Sequence, residues 1–259
     1  MTTTTSTSES LQDEVAALAR RLRLPYLRRA AVEVLPTAKA QRWDPAEIVR
    51  VLLEEEARGR DAATIANRRR RANFPTGKTF ESWHQPASSI PTATQQALRT
   101  LEWIRRRENL AVVGPSGTGK SHLLEALGHA AIDDGLTVSW FTIETLGQLV
   151  TRHRTDNTIT KAVSRILKTD LIVIDDIGLL PITADAGEAF LRVIDAAYER
   201  RSIAISSNVH PGGFDELLPG TVASPAVDRF MHHAHLVVTE GDSYRFAQAR
   251  DGKGVQPLT

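Results

Sequence analysis

The apolar positions of this chain change period near residue 109. Before it they recur at helical spacing. Leu11, Val15, Leu18 and Leu22 predict a helix over residues 11–23, ended by Leu24-Pro25. Residues 25–39 read as a second helix, with Tyr26, Ala30, Val32 and Leu35 partly on one face and Pro36 as an early break. Asp44 then Pro45 is a helix start, N-cap followed by first turn, and Ile48, Val49, Leu52 and Leu53 form the stripe of a third helix. That helix continues from Asp61 to Ala72. Residues 1–10, rich in Thr and Ser, read as a disordered tail. Prolines and aromatics (Phe74-Pro75, Phe80, Trp83, Pro86, Ile90-Pro91) interrupt the periodicity, so residues 74–93 read as a linker packed on the next domain. Leu98, Leu101 and Ile104 predict one amphipathic helix over 94–107, with Trp103 or Ile104 as candidates to lie near a bound base.

Beyond residue 109, short apolar runs alternate with helical patterns. Residues 110–113, 136–142, 171–176 and 203–208 read as strands. The stretches after Lys120, then 144–152, 157–168 and 185–200, read as helices. Tyr244-Arg245-Phe246 reads as a last strand. Strands alternating with helices imply an α/β fold, a parallel sheet flanked by helices, with ligand at the C-terminal ends of the strands. About a dozen residues come after Phe246, too few for a helical lid domain.

Charge sharpens the division. Residues 1–108 carry 19 Lys and Arg against 13 Asp and Glu, and residues 109–259 carry 13 against 18. A net charge of +1 thus hides a basic front and an acidic back, which suits a nucleic-acid or acidic partner at the front. Arg68, Arg69, Arg70 and Arg71 wrap their helix, so at least two can face a partner. With no acid between Asp61 and the end of that helix, phosphate contact is favoured over a solvated face. The absence of cysteine excludes disulfides, thiolate metal sites and a Cys nucleophile. No apolar run approaches the roughly 18 residues of a membrane span, and no signal-peptide pattern opens the chain, so no membrane partner is expected and cytoplasm is the default compartment.

Candidate chemistry concentrates after the first apolar run. Gly114-Pro115-Ser116-Gly117-Thr118-Gly119-Lys120-Ser121 fits G-x-x-x-x-G-K-[ST] between a strand and a helix. Its glycines let backbone N–H groups meet phosphate oxygens, Lys120 reaches the terminal phosphates, and Ser121 offers a hydroxyl to Mg²⁺; His122 comes next in the same cradle. The chain is therefore expected to bind a nucleoside triphosphate. Asp175, at the tip of an apolar strand, would hold Mg²⁺, and Asp176, pointed differently, can orient or deprotonate water. Asn208 ends the next strand, where an amide can hold water or touch the γ-phosphate; this is favoured over the alternative, an Asn that merely turns the chain before His210-Pro211. Arg229 reads either as an Asp-Arg surface pair or as an arginine presented to a neighbouring subunit's transition state. His232, His233 and His235 lack a fourth ligand and defined spacing for zinc and read as structural or surface residues.

These residues carry a resemblance. The chain resembles the IstB family, the AAA+ ATPase helpers of IS21-type transposons, and more distantly the DnaC-type helicase loaders. The likeness rests on Leu22-Arg23-Leu24-Pro25, Leu52-Leu53-Glu54-Glu55-Glu56, Arg106-Arg107-Glu108-Asn109-Leu110 and the phosphate loop with Ala126-Leu127-Gly128. It continues through residues 171–178, Ser206-Ser207-Asn208, Asp228-Arg229-Phe230 and Gly241-Asp242-Ser243-Tyr244-Arg245. It implies an AAA+ P-loop NTPase without a lid domain over residues 94–259, preceded by a small all-α domain over 11–73 for DNA binding or oligomerisation. It implies ATP with Mg²⁺, Asp175 and Asp176 as the acidic motif, Asn208 as γ-phosphate sensor and Arg229 as an arginine finger acting in trans. It implies a homo-oligomeric ring or spiral on duplex DNA, without sequence preference, that recruits and activates a transposase. A helix ahead of the acidic strand lines the DNA path in related initiators; here that region holds Arg152, Arg154, Lys161, Arg165 and Lys168.

Two departures stand out. Ser121-His122 replaces the common Thr-His and keeps the hydroxyl. Asp176 stands where most AAA+ proteins carry Glu, and its shorter side chain implies slow intrinsic hydrolysis. A helicase loader is the second reading and would need a helicase-docking element. A small-molecule kinase is the third and would need an acceptor-binding lid.

Overall fold

The structure, a computed structural model, describes residues 3–154, 158–217 and 223–250. The chain divides into two compact units, residues 1–67 and 68–259.

The first unit is helical: α1 (Thr3–Arg21), α2 (Pro25–Gln41) and α3 (Pro45–Ala72), the last crossing the unit boundary. Helix α1 begins at Thr3, so the tail expected to be disordered through residue 10 is helical from there on; no Gly or Pro interrupts its first ten residues. Pro36 does not end α2, which runs five residues beyond it to Gln41. Leu24, the N-cap of α2, gives no side-chain cap. Glu56 of α3 replaces it: its buried carboxylate accepts from the Tyr26 and Leu27 N–H groups, each at 2.9 Å, and from Arg60 Nε at 2.7 Å. An anion at a helix N-terminus meets both its unpaired donors and its dipole. Arg60 also donates to the Arg23 carbonyl at 2.7 Å, closing the same corner.

The second unit opens with α4 (Thr92–Arg99) and α5 (Glu102–Arg105), then alternates: β1 (Asn109–Val113), α6 (Lys120–Asp133), β2 (Val138–Thr142), α7 (Ile143–Arg154), α8 (Ile159–Ile166), β3 (Leu171–Ile177), α9 (Ala184–Ala197) and β4 (Ser202–Ser207). It ends with α10 (Phe214–Leu217), α11 (Ala223–Met231), β5 (Ala234–Val238) and α12 (Tyr244–Arg250). The helix expected over 94–107 is two short ones, because Leu101 has φ 60° and breaks the helical path. Trp103 and Ile104 are buried, the indole donating to the Leu98 carbonyl at 3.2 Å, so they are core and line no nucleotide cavity.

All pairings are parallel, in the order β2-β3-β4-β1-β5. Strands β1 and β3 are apolar over most of their length, and β4 is buried throughout, because helices cover both faces. Leu146 and Val150 of α7 and Phe190, Val193 and Ile194 of α9 pack with Ile172, Ile174 and Ile205 of the sheet; each such side chain contributes roughly 1.5–3 kcal/mol by leaving water. Strand β5 has no counterpart among the expected strands: His235 interrupts its apolar run, and Leu236 and Val238 stay exposed on this edge strand. Tyr244-Arg245-Phe246, expected as a strand, begins α12. Ser243 explains it: its hydroxyl accepts from the Phe246 N–H at 3.4 Å and its carbonyl from the Ala247 N–H at 3.0 Å. No helix among the described residues is long and apolar enough to cross a membrane.

Candidate nucleotide site

The loop between β1 and α6 lies at the C-terminal ends of the parallel strands. Gly117 and Gly119 have φ +85° and +93°, in the left-handed region. A Cβ on Gly117 would stand 2.1 Å from Ser243 Oγ, so glycine is required there by backbone and by space; at Gly119, where a Cβ would stand 3.1 Å from the Trp83 ring, the backbone favours glycine.

Lys120, the first residue of α6, folds back over the loop. Its Nζ donates to the Gly114 carbonyl at 2.8 Å, the Pro115 carbonyl at 2.7 Å and Asn208 Oδ1 at 2.8 Å. Ser121 Oγ donates to Asp175 Oδ1 at 2.9 Å. Lys120, Ser121, Asp175 and Asn208, each expected from sequence to serve a nucleotide, therefore meet in one site, although they come from α6 and the ends of β3 and β4. Ser206, to which the sequence assigns no role of its own, also donates to Asp175 Oδ1 and accepts from the Asp176 N–H at 3.1 Å.

The two acids diverge for a backbone reason. The β3–β4 register shifts between Ile174 and Ile177, and Asp176 has φ 62°. This bulge buries Asp175 at 4 % exposure and turns Asp176 outward. Burial raises the Asp175 pKa and the neighbouring Asp176 charge adds to it, while the Ser206 and Ser121 hydroxyls oppose the rise. Burial lowers the Lys120 pKa, and the Arg245 guanidinium acts the same way, against Asp175 and Asp176.

A cavity of about 440 Å³ opens here. One wall is the loop from Ser116 to His122 with Asp175, Asp176 and Asn208. The other is the expected linker, which contributes Pro75, Thr76, Lys78, Trp83 and Ser88. Tyr244 and Arg245 of α12 close one end, anchored by the Tyr244 N–H donating to the Gly117 carbonyl at 3.0 Å. Arg245 lines the cavity; residues 241–245 carry part of the resemblance, but the sequence assigns Arg245 no role in the site, and the local signal is Ser243, a capping residue that turns the tail into a helix aimed at the loop.

The linker side is a strap along α6. Arg69 pairs with Asp133 at 2.6 Å. Phe74 sits over Gly128 and lies tilted against His129, with ring centroids 4.2 Å apart. Glu125, buried, accepts from the Thr76 N–H and hydroxyl at 3.0 and 2.6 Å and from the Gly77 N–H at 2.5 Å. His122 Nε2 lies 3.2 Å from both Ser82 Oγ and the Thr79 carbonyl, with the Trp83 ring edge-on at 5.0 Å. The strap thus touches successive turns of α6 down to the phosphate loop.

The remaining expected residues lie elsewhere. Arg229 pairs with Asp195 of α9 at 3.2 Å and does not line the cavity. Arg69 is engaged by Asp133, which leaves it less available to an external phosphate than its position in the arginine run suggests. Arg70 and Arg71 are exposed and Arg68 is half-buried. Lys161, Arg165 and Lys168 line the exposed side of α8 and the turn after it, opposite buried Ala162, Val163 and Ile166; Arg152 is exposed near the end of α7, and Arg154 closes that helix. The oxygen donors of Ser121 and Asp175 beside a buried ammonium fit a phosphate-bound hard divalent cation.

The family described as IstB-like ATP binding protein matches residues 17–252. An insertion sequence IS21 ATP-binding protein of Pseudomonas aeruginosa is 28% identical over 241 residues, covering 92% of this chain and 90% of its own. An insertion sequence ATP-binding protein of Sinorhizobium fredii is 30% identical over 239 residues, covering 90% and 79%. Among solved structures, AMPPCP-bound DnaA from Aquifex aeolicus superposes with TM-score 0.53 at 24% identity, covering 70% of this chain and 56% of that one. The DnaC helicase loader gives 0.52 at 17%, covering 64% and 98%. These neighbours share the AAA+ P-loop fold.

Proposed function

The chain belongs to the IstB-like ATP binding protein family, and on that premise we propose that it is an ATP-driven helper of an IS21-type mobile element. In this reading it binds and slowly hydrolyses ATP, assembles as a homo-oligomer on duplex DNA without sequence preference, and recruits the element's transposase. The observation that carries it is the meeting of Lys120, Ser121, Asp175 and Asn208 from three elements at one strand edge.

Ser121 and Asp175 would hold Mg²⁺, which would offset the charge of the phosphates. Lys120 exchanges the carbonyls of Gly114 and Pro115 for phosphate oxygens. Asn208 then keeps its Oδ1 near the ammonium and orients water with its amide N–H. Asp176, exposed and beside the buried Asp175, accepts the water proton at its carboxylate. Arg245 supplies a second cation from within the same subunit. Arg229 leaves Asp195 to reach a neighbouring subunit's site.

The first unit serves DNA binding or oligomerisation. Leu11, Leu18, Leu22 and Leu53 are each more than half exposed, which suits subunit contact. Lys161, Arg165 and Lys168 on one exposed side suit phosphate contact. Two arms of one experiment test this reading: fluorescence anisotropy on duplex and on single-stranded DNA with ATP–Mg²⁺, each repeated with Lys120→Ala. Tight duplex binding that needs ATP and is lost in the variant supports it. Binding confined to single strands points to a helicase loader.

A further inference from the structure

A cluster of metal-ligating side chains lies at the opposite end of the sheet from the phosphate loop, where β1 and β4 begin. The turn from α9 into β4 presents Tyr198 and Glu199, and the turn from α11 into β5 presents His232 and His233. Asn109 ties these turns together: its N–H donates to the His233 carbonyl at 2.7 Å, its Nδ2 to the Phe230 carbonyl at 2.8 Å, and its Oδ1 accepts from the Ile203 N–H at 2.9 Å. The side chains above that knot are therefore held on a fixed base.

One ligand atom each from Glu199, His232 and His233 lies within 4.8 Å of the other two. His233 Nε2 is 3.6 Å from Glu199 Oε1. The two imidazole centroids are 4.0 Å apart. Tyr198 Oη sits 2.7 Å from His232 Nδ1, the kind of outer hydrogen bond that fixes a ligating imidazole's orientation. All three ligating residues are exposed, so modest rotations can bring their atoms to one ion. His235 is separate: it pairs with Glu108 at 2.7 Å.

We propose that Glu199, His232 and His233 form a three-ligand site for a zinc-class divalent metal ion, with Tyr198 as its outer partner and water completing the coordination. Two imidazoles and a carboxylate are a donor set that zinc accepts, and that Mg²⁺, which prefers oxygen and keeps its waters, does not. The ion staples the α9–β4 turn to the α11–β5 turn. Helix α11 carries Arg229 one turn before His232, already paired to Asp195 of α9, so the metal braces the same two helices at a second point.

The test uses the full chain freed of affinity-tag histidines, with Zn²⁺ delivered from a chromogenic chelator and Co²⁺ as a spectroscopic probe. One Zn²⁺ per chain is expected, with micromolar affinity and intense visible Co²⁺ bands of low coordination number. His232→Ala and His233→Ala remove the binding, Tyr198→Phe weakens it about tenfold, and His235→Ala leaves it unchanged. Circular dichroism verifies that each variant folds. Equal uptake by the His232→Ala/His233→Ala double variant, or loss in His235→Ala, overturns the proposal. A wild-type Co²⁺ spectrum no stronger than the hydrated ion overturns it without any variant.

Discussion

Lys120 Nζ and Asn208 Oδ1 stand 2.8 Å apart, joining the start of α6 to the end of β4 across the site. The same ammonium is held by two loop carbonyls. Replacing Asn208 by Ala should therefore leave ATP affinity nearly intact while lowering turnover by about 10²-fold, as loss of one group aimed at developing charge does. Separate measurement of nucleotide dissociation and single-turnover hydrolysis checks this. A lost affinity with unchanged turnover of bound ATP would reduce Asn208 to an anchor for Lys120.

Ser206 bridges the two acids, donating to the Asp175 carboxylate and accepting from the Asp176 N–H. Ser206→Ala should raise the Mg²⁺ concentration needed for half-maximal turnover by about tenfold, the usual cost of losing an outer partner of a metal ligand. A Mg²⁺ titration at saturating ATP decides it. An unchanged Mg²⁺ dependence would mean that Ser206 only shapes the bulge.

The strap along α6 should be sensitive to acid. Burial lowers the His122 pKa, helped by Lys78 and opposed by the Thr79 carbonyl and Glu125. Burial also lowers the His129 pKa, helped by Arg69 and opposed by Glu125 and Asp133, and neither His129 ring nitrogen has a hydrogen-bond partner among the described residues. A histidine with a depressed folded pKa favours the fold fully above its unfolded value, near 6.5, and loses that contribution as pH falls through the folded value. Hydrogen exchange at residues 74–83 should accelerate as pH drops below about 6.5, after correction for intrinsic rates. His129→Gln should flatten the response. Equal protection at pH 5.5 and 7.5 would contradict it.

Much of the nucleotide site is legible in the sequence because phosphate chemistry demands a contiguous loop and an acid at a strand tip, both local patterns. Asn208 is legible as the end of an apolar strand. Arg245 is not, because its place depends on Ser243 capping a helix where three alternating residues suggest a strand. Strand β5 is hidden by its half-exposed edge position, and Glu56 by its role as a long-range cap of α2. The strap's aromatic and proline pattern announces a break in periodicity. Its partners on α6 can be known only from the fold, since each contact spans about 40 to 64 residues. The histidine cluster lacks Glu199 in sequence for the same reason.

DNA contact should track the exposed side of α8 more than Arg69. A double change of Lys161 and Arg165 to Ala should weaken duplex binding at all sequences and reduce the salt slope by about 1.8, at about 0.9 per phosphate contact. Arg69→Ala should change the slope little, because Asp133 already engages that side chain. Anisotropy titrations across a salt series check both. An unchanged slope in the double variant would remove α8 from the DNA path.

The most direct measurement is particle mass in solution with ATP–Mg²⁺ and duplex DNA, with single-stranded DNA and Lys120→Ala in parallel. The ATP-switch reading predicts large assemblies only when ATP and duplex are both present, and none with the variant. A monomer under every condition would contradict it and leave Arg229 no neighbouring site to reach.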